Sequence, residues 1–299
     1  MKIIYGVKQI KKLRRPVVAL GVFDGLHLGH RNILRATVKK AKRIKGTSLV
    51  LTFFPHPQEK ESLYSLQHRL RLIAEMGVDV CIVVKFSRSF AKISAKDFIS
   101  EILAGNIGAS FIYVGKNFRF GSQAAGDYRL LVKEAKNYKI GVRIFDVVKS
   151  GTLTVSSTTI RKLIKNSKLK QAQKLLGRRV SVLGTVIRGS KLGRLLGFPT
   201  ANINPHHEVV PPAGIYAVQV IFSKKRYDGV CYIGKRPTIY PADAAMRIEV
   251  HIFDFHKDIY GKVLEIQFIK LIRSDQKFTS LKDLSAQIKK DIISCRKIL

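Results

Sequence analysis

The first half of the chain alternates short apolar runs with segments in which apolar residues recur every three or four positions. Short apolar runs are typical of buried strands, and the longer spacing is typical of amphipathic helices. We predict strands at residues 17–23, 48–54, 80–86, 111–114 and 142–148. Because helical segments separate these strands, the pattern favours an α/β fold with a parallel sheet and crossover helices.

The second half of the chain has a different rhythm. Short β-rich runs, separated by Gly, Pro and Asp, occupy residues 180–187, 214–222, 229–234, 247–254 and 263–272. The run at 247–253 alternates polar and apolar side chains, as a half-buried strand does. We predict a small antiparallel sheet or barrel, followed by a final helix over residues 280–298.

The change of rhythm predicts two domains. The length of 299 residues is sufficient for two ordinary domains. A polar, basic segment at 165–176 lies between the two patterns and is predicted to be a helical connector. We place the boundary at Gly177, which gives an N-terminal domain of residues 1–176 and a C-terminal domain of residues 177–299.

The composition indicates a globular protein without a membrane segment. Hydrophobic residues make up 46% of the chain and charged residues 25%, and no apolar run approaches the roughly 20 residues of a membrane span. The cysteines at 81, 231 and 295 lie far apart and form no CxxC pair, which argues against a disulfide framework or a zinc site. We expect buried thiols and a reducing, cytoplasmic location.

The chain is strongly basic. It holds 55 Lys and Arg residues against 20 acidic residues, a formal net charge of +35. Such a charge favours polyanions, but the basic residues are scattered and no nucleic-acid-binding motif accompanies them. We expect no dedicated nucleic-acid partner, and the charge leaves weak binding open.

A glycine-rich segment with two histidines, GVFDGLHLGH at residues 21–30, follows the first predicted strand and precedes a helix. Ligands bind at the carboxyl edge of a parallel sheet, and the first N–H groups of a helix attract anions. Gly21 and Gly25 allow close approach of the backbone to a ligand. His27 and His30 can donate hydrogen bonds to phosphate oxygens. We therefore predict a nucleotide-phosphate site.

Two alternatives remain for these histidines. His27 and His30 could cap the following helix. They could also bind a metal, although Asp24 is the one further candidate ligand nearby.

A second helix start, SSTTIR at residues 156–161, offers hydroxyls and a guanidinium. The hydroxyls could simply cap the helix. They could also bind a triphosphate together with Arg161, whose planar fork matches phosphate oxygens.

An HxGH segment combined with a distal phosphate-binding helix start is typical of the nucleotidyltransferase superfamily. In that superfamily an acceptor phosphate attacks the α-phosphate of ATP and pyrophosphate leaves, so positioning and charge stabilisation suffice. Class I aminoacyl-tRNA synthetases share the HxGH segment and are an alternative. The chain is short for a synthetase and has no KMSKS-like loop.

Taken together, the motifs resemble those of the bacterial bifunctional riboflavin kinase/FAD synthetase family over nearly the whole chain. The matching segments are 21–30, 52–57 (TFFPHP), 114–121 (VGKNFRFG), 156–161, 193–202 (GRLLGFPTAN), 212–216 (PAGIY), 236–238 (RPT), 247–261 and 273–278. The resemblance implies a Rossmann-like nucleotidyltransferase domain and a C-terminal β-barrel riboflavin kinase domain. It also implies that riboflavin is phosphorylated to FMN and that FMN is adenylylated to FAD, with ATP and Mg²⁺.

For the N-terminal domain, the resemblance implies an ATP site and a flavin contact. The residues implied to bind ATP are Gly21, Phe23, Gly25, His27, His30, Ser156, Ser157, Thr158 and Arg161. His56 and Asn117 are implied to lie near the flavin. On the residues alone, His56 is equally well explained as a turn histidine between two prolines.

For the C-terminal domain, the reaction itself requires a carboxylate base, because a hydroxyl must lose a proton as it attacks the γ-phosphate. Glu249 matches the catalytic Glu of the family, and a solvent-facing strand Glu is the alternative. Thr200 and Asn202 match the metal site and carry oxygen ligands suited to Mg²⁺. Arg273 matches a segment near the flavin. The glycines implied to contact ATP together with Thr200 are Gly189, Gly193 and Gly197.

Two segments depart from the family pattern. Tyr232, immediately before Ile233 and Gly234, stands where the family has Asn. We expect it to alter flavin or nucleotide contacts. Ser122-Gln123-Ala124 replaces a more basic stretch.

Two other functions stay open on the sequence. One is a basic nucleic-acid-binding protein on a former enzyme scaffold. The other is an adenylyltransferase with a non-flavin acceptor, in which the 199–202 and Glu249 segments would have no role.

Overall fold

In a computed structural model, the structure describes residues 1–7, 10, 12–57, 61–189, 192–235 and 246–299. The segment Arg236-Pro237-Thr238, part of the family resemblance, lies outside the described residues.

The chain folds into two compact units. The first, here called the sheet unit, comprises Met1–Ser62 and Leu66–Ser157. The second, the barrel unit, comprises Leu63–Ser65 and Thr158–Leu299. Residues 158–176, which form the helices before Gly177, therefore fold with the barrel unit. The domain boundary at Gly177 stays a prediction.

The sheet unit is built on a six-stranded parallel sheet with the order β1-β4-β3-β2-β5-β6. Its strands are β1 (Lys2–Tyr5), β2 (Val17–Leu20), β3 (Ser48–Phe54), β4 (Val80–Lys85), β5 (Phe111–Gly115) and β6 (Gly141–Phe145). The apolar runs of β2, β3 and β4 are almost completely buried because helices cover both faces of such a sheet. The predicted parallel α/β domain is confirmed.

The helices of this unit follow the predicted apolar spacing. They are α1 (Leu28–Arg43), α2 (Leu66–Glu75), α3 (Arg88–Ala91), α4 (Ala95–Asp97) and α5 (Tyr128–Ala135), with a π-helical stretch over Phe98–Asn106. Ile33, Leu34 and Ala41 of α1 are buried, as their recurrence predicted. A two-stranded ladder of β7 (Lys149–Ser150) and β8 (Leu153–Thr154) precedes the end of the unit.

Two details of the sheet differ from the prediction. The edge strand β1 has only one of its four residues buried, so it lacks an apolar run that would mark it. The strand predicted at 17–23 ends at Leu20. Phe23 then adopts a left-handed conformation with φ 55°, which ends the strand and begins the glycine-rich loop.

The barrel unit contains a closed antiparallel barrel with the order β10-β13-β12-β11-β14-β9. Its strands are β9 (Ser181–Ile187), β10 (Ala201–Asn204), β11 (Gly214–Phe222), β12 (Lys225–Lys235), β13 (Met246–Ile252) and β14 (Val263–Ser274). Its helices are α6 (Ser157–Lys165), α7 (Leu169–Leu176), α8 (Leu192–Leu195) and α9 (Leu281–Arg296). The barrel and the final helix are confirmed, and the four-residue β10 was not predicted.

Helix α9 covers one stretch of the outer barrel surface. Cys295 of α9 packs with Ile215, Ala217 and Val230 of the barrel in a separate apolar cluster. No helix in the described part of the chain is long and apolar enough to cross a membrane.

Candidate active sites of the two units

The glycine-rich segment lies at the point of the sheet where the strand order reverses. From β2 the chain runs outward through β3 and β4, and it returns to the other side of β2 with β5. Ligands of open α/β sheets bind at the carboxyl ends of the strands at such a point. The topology thus places the ends of β2, β3 and β5 side by side, followed by residues 21–30, His56 and Asn117 respectively.

The loop between β2 and α1 has an unusual backbone. Phe23, Gly25 and Leu26 have φ values of 55°, 77° and 36°. Left-handed conformations are unfavourable for residues with a Cβ, and a structure maintains them when surrounding contacts leave no alternative. Gly21 is also constrained, because an added Cβ would lie 3.2 Å from the Phe23 ring.

The two histidines lie together at the start of α1. His27 is the N-cap residue, and its Nδ1 accepts a hydrogen bond from the backbone N–H of His30 at 3.4 Å. Their rings stack with centroids 3.6 Å apart, and the Phe23 ring packs edge-on against His30. The capping role is therefore present for His27. Stacked rings do not direct their nitrogen lone pairs at one common ion, so the geometry does not favour the metal alternative.

A buried arginine supports this loop from below. Arg69 of α2 is 2% exposed, and its Nη1 donates to the Val22 carbonyl oxygen at 2.6 Å. The Thr52 hydroxyl donates to the same oxygen at 2.9 Å. Burial lowers the pKa of Arg69, and the nearby charge of Asp24, itself 2% exposed, opposes that shift. A buried cation thus lies directly beneath the predicted phosphate loop.

The second predicted phosphate segment also reaches this loop. The Ser157 hydroxyl donates to the Asp24 carbonyl oxygen at 2.8 Å, and both residues belong to the sheet unit. Ser157 begins α6, so the predicted helix start is confirmed. Thr158 and Arg161 follow on the same helix, in the part that belongs to the barrel unit.

The predicted flavin contacts of this unit lie in turns after the neighbouring strands. The half-buried His56 follows a cis peptide bond between Phe54 and Pro55. Asn117 is exposed in the turn after β5. The departure at 122–124 forms a short 3₁₀ turn, in which Gln123 and Ala124 are exposed.

In the barrel unit, one row of register partners collects the predicted kinase residues. The row crosses all six strands in the order Ile187, Asn202, Glu249, Tyr232, Ile215 and Arg273. Directly opposed residues on neighbouring strands project from the same face of a sheet. Since Ile215 and Tyr232 pack in the cluster with Cys295, this face is the outer one that α9 covers.

Glu249 is held by two neighbours. The side chain of Glu249 is 18% exposed, its Oε2 accepts from the Thr200 hydroxyl at 3.3 Å, and its Oε1 lies 3.4 Å from Arg247 Nη1. The alternative of a solvent-facing strand Glu is not favoured, because the carboxylate is half-buried in a polar cluster. A carboxylate held in this way is oriented to accept a proton.

The glycine loop packs against the predicted metal ligands. A Cβ added to Gly189 would lie 2.1 Å from the side-chain nitrogen of Asn202. One added to Gly193 would lie 3.0 Å from the Thr200 hydroxyl oxygen. Gly197 has φ 84° and ends the turn after α8. Gly189 and Gly193 therefore let the loop lie directly on Asn202 and Thr200.

A cavity of about 290 Å³ opens beside Glu249. Its walls come from the α8 loop, from the row on the barrel face, from the segment after β14 and from α9. The lining includes Thr200, Glu249, Tyr232, Arg273 and Phe278. The volume is near the lower end of the range for small-molecule pockets.

At the far end of the cavity, Arg273 is fixed by a carboxylate. Arg273 donates to both carboxylate oxygens of Asp291, with an Nη2–Oδ2 distance of 2.8 Å. Gln287 donates to Asp291 as well, and the Arg273 guanidinium lies over the Phe278 ring. Asp291 is 3% exposed, so this ion pair sets the position of Arg273.

The oxygen donors around Glu249 fit a hard cation. Thr200 offers a hydroxyl and Asn202, the register partner of Glu249, an amide carbonyl, and both groups suit Mg²⁺. Among the residues that the structure describes, no group of three or more His, Cys, Asp or Glu side chains is placed to hold a metal. Hydroxyl and amide oxygens of this kind suit a Mg²⁺ ion that substrate phosphates also coordinate.

Arg69, Asp291 and Arg247 were not identified from the sequence. Each lies in a run whose spacing is helical or β-like, and nothing local distinguishes it from a surface charge. A charged residue at an apolar position of α2 was the one signal for Arg69.

The fold and the two sites define a class of two-part enzymes, with an HxGH nucleotide unit before a barrel that carries a strand carboxylate. Two family models match accordingly: residues 9–159 match FAD synthetase and residues 176–299 match riboflavin kinase. The chain belongs to the bifunctional riboflavin kinase/FMN adenylyltransferase family, and the resemblance predicted from the motifs is confirmed.

Relatives of that name align over almost their whole length. The chain is 36% identical to the Escherichia coli (strain K12) protein over 99% of this chain and 97% of the relative. It is 37% identical to the Haemophilus influenzae protein over 98% and 97%, and 36% identical to the Bacillus subtilis protein over 93% and 90%.

A solved structure shares the full fold. It is a crystal structure from Streptococcus pneumoniae described as a macrolide-efflux protein, with a TM-score of 0.83, 32% identity and 99% coverage of both chains. The curated relatives and both family models agree instead on flavin chemistry.

Proposed function

We propose that the protein phosphorylates riboflavin to FMN in the barrel unit and transfers AMP from ATP to FMN in the sheet unit. The observation that carries the proposal is the row on the barrel face, in which Glu249 and Arg273 line one cavity and Asn202 is the register partner of Glu249. An adenylyltransferase with a non-flavin acceptor has no use for that row. The family membership over the whole chain supports both activities.

In the kinase reaction, Glu249 acts as the general base. Its carboxylate accepts the proton of the riboflavin hydroxyl that attacks the γ-phosphate of ATP, and ADP leaves. Arg247 and the Thr200 hydroxyl orient the carboxylate. The acceptor occupies the cavity between Glu249 and Arg273, and Gly189, Gly193 and Gly197 place the loop over the nucleotide.

Thr200 and Asn202 are the residues that would hold Mg²⁺ in the barrel unit. When bound, the ion would neutralise charge on the nucleotide phosphates. The Thr200 hydroxyl contacts Glu249, so the metal ligands and the base are adjacent.

In the adenylylation reaction, the FMN phosphate attacks the α-phosphate of ATP and pyrophosphate leaves. His27 and His30 stabilise charge on the α-phosphate, and the N-terminus of α1 adds backbone N–H groups. Gly21, Phe23 and Gly25 shape the loop. Ser156, Ser157, Thr158 and Arg161 complete the triphosphate contacts, while His56 and Asn117 contact the flavin substrate.

We further propose that residues 1–176 and 177–299 are the functional domains and that the protein works in the cytoplasm. Three buried free cysteines, at 81, 231 and 295, support a reducing location. The net charge of +35 has no role in this proposal.

The test is a product assay. Purified protein incubated with riboflavin and Mg-ATP is expected to form FMN first and FAD later, separated by chromatography, with pyrophosphate released in the second step. A parallel reaction started with FMN isolates that step. Absence of any flavin nucleotide would contradict the proposal, and FMN without FAD would restrict it to the barrel unit.

A further inference from the structure

The strained loop of the sheet unit depends on one peptide group. The Val22 carbonyl oxygen accepts two side-chain hydrogen bonds, from Arg69 Nη1 at 2.6 Å and from the Thr52 hydroxyl at 2.9 Å. Phe23, the next residue, is left-handed. These two donors therefore fix the backbone immediately before the strain begins.

Arg69 also reaches the neighbouring strand end. Its Nη2 donates to the Phe53 carbonyl oxygen at 3.4 Å, just before the turn that carries His56. One guanidinium thus joins the loop after β2 to the end of β3, because its planar fork presents donors on two nitrogens at once. A lysine ammonium also has several donors, but they diverge from one nitrogen instead of forming a planar fork.

Burial of Arg69 is energetically unfavourable unless it has a structural use. The side chain is 2% exposed, and among the described residues its hydrogen bonds go to two carbonyl oxygens and a hydroxyl rather than to a carboxylate. A buried cation without a hydrogen-bonded carboxylate costs free energy that an apolar residue of similar size would avoid. Such costs concentrate at functional sites.

We infer that Arg69, together with Thr52, is a positioning residue for adenylyl transfer. It holds the loop over residues 21–30 in the shape that directs His27 and His30 at the nucleotide, and it touches no substrate itself. The inference rests on the proposed adenylylation in the sheet unit. It predicts a loss in the rate of FAD formation with ATP binding less affected, because the anion site at the start of α1 remains.

The experiment compares four variants in both assays on the same samples. Arg69→Met removes the guanidinium at similar length, Arg69→Lys keeps the charge, and Thr52→Val removes the other donor. Arg71→Met is the matched control, since Arg71 is a partly exposed arginine of the same helix that pairs with Glu75. The riboflavin kinase activity of each sample is the internal control for the folded barrel unit, and thermal unfolding of each sample is the control for the folded sheet unit.

We expect Arg69→Met to lower kcat for FAD formation about 100-fold, as small misplacements of catalytic groups do, with a much smaller change in the KM for ATP. Arg69→Lys should recover part of this loss, and Thr52→Val should cause a smaller loss of the same kind. Arg71→Met should match the unmodified protein. Kinase activity should stay unchanged in all four.

Two results would overturn the inference. One is FAD formation at the wild-type rate in both Arg69→Lys and Thr52→Val. If Arg69→Met does not fold, these two variants alone test the inference. The other is a rise in the KM for ATP without a fall in kcat. If the unmodified protein itself makes FMN but no FAD, the proposed adenylylation fails instead, so the two failures are distinguishable.

Discussion

The two units form their sites in different ways. In the sheet unit the candidate site consists of loops at the ends of parallel strands, and its backbone is strained at Phe23 and Leu26. In the barrel unit the site consists of side chains on the strands themselves, aligned by register. A strand ladder determines side-chain positions through its own hydrogen bonds, whereas a loop needs support from outside itself.

This difference explains where the additional charged residues lie. Arg69 is buried under the loop and donates to backbone oxygens. Arg247 and Asp291 contact the side chains of Glu249 and Arg273 directly. A loop site is thus supported through its backbone, and a strand site through its side chains.

The largest expected effect is the loss of one activity without the other when Glu249 is changed. Glu249→Gln keeps the shape of the side chain but removes its basicity, so kcat for FMN formation should fall about 10²- to 10⁴-fold. FAD formation from supplied FMN should be unchanged. Chromatography of both reactions measures this.

Asp254→Asn is a suitable control for that variant. It removes a carboxylate of the barrel unit whose ion pair with Arg296 is largely exposed, and such pairs contribute little. Loss of FAD formation in folded Glu249→Gln would show that the two activities are not divided between the units.

Substitution of His30 is expected to lower FAD formation and to spare FMN formation. His30→Ala should lower kcat for FAD formation about 10²- to 10³-fold, because a donor to the developing phosphate charge is lost. His27→Ala should have a similar effect and also lower the stability of the sheet unit by about 1 kcal/mol, since His27 caps α1. Steady-state kinetics and thermal unfolding distinguish these effects. His256→Ala, an exposed histidine of the barrel unit, should change neither activity.

A smaller effect is expected at Tyr232, where the motif resemblance leads us to expect Asn. Tyr232 lies between Glu249 and Ile215 in the row, and its hydroxyl donates to Asp275 at 3.3 Å across the cavity wall. Tyr232→Phe removes that hydrogen bond and should raise the KM for riboflavin a few-fold. Tyr232→Asn also removes the ring and should raise it further, with kcat preserved because Glu249 is intact. An unchanged KM in both would exclude Tyr232 from acceptor binding.

The smallest effect concerns pH and stability. Burial raises the pKa of Cys81 in the sheet unit to about 12, against about 8.5 in an unfolded chain. Between these values the unfolded state loses a proton that the folded state keeps, so stability falls as pH rises, by about 1.4 kcal/mol per pH unit for this thiol.

Cys81→Ala should remove that contribution from the pH dependence of the sheet unit. Urea unfolding at pH 8 and at pH 10, with the loss of FAD formation as the readout, measures this contribution. Cys231→Ala, in the barrel unit, should leave this slope unchanged if the units unfold separately. An equal slope in the unmodified protein and Cys81→Ala would contradict the raised pKa.

Much of the fold follows from the sequence because it depends on local periodicity. Buried parallel strands such as β3 are continuous apolar runs in the sequence, and the half-buried β13 is a run of alternating apolar and polar residues. The edge strand β1 and the short β10 carry too few buried residues to give either signal. The loop at 21–30 is predicted to be a phosphate site because glycines, a helix start and histidines coincide there, and the structure confirms the helix start.

The sequence by itself determined the two architectures, the glycine-rich loop and the identity of the candidate catalytic residues. Only the tertiary structure decided what holds them in place. Strand order put the ends of β2, β3 and β5 together, and barrel register put Asn202, Glu249 and Arg273 in one row. Arg69 and Val22 are 47 residues apart, and no local pattern records such a contact, because packing between distant segments creates it.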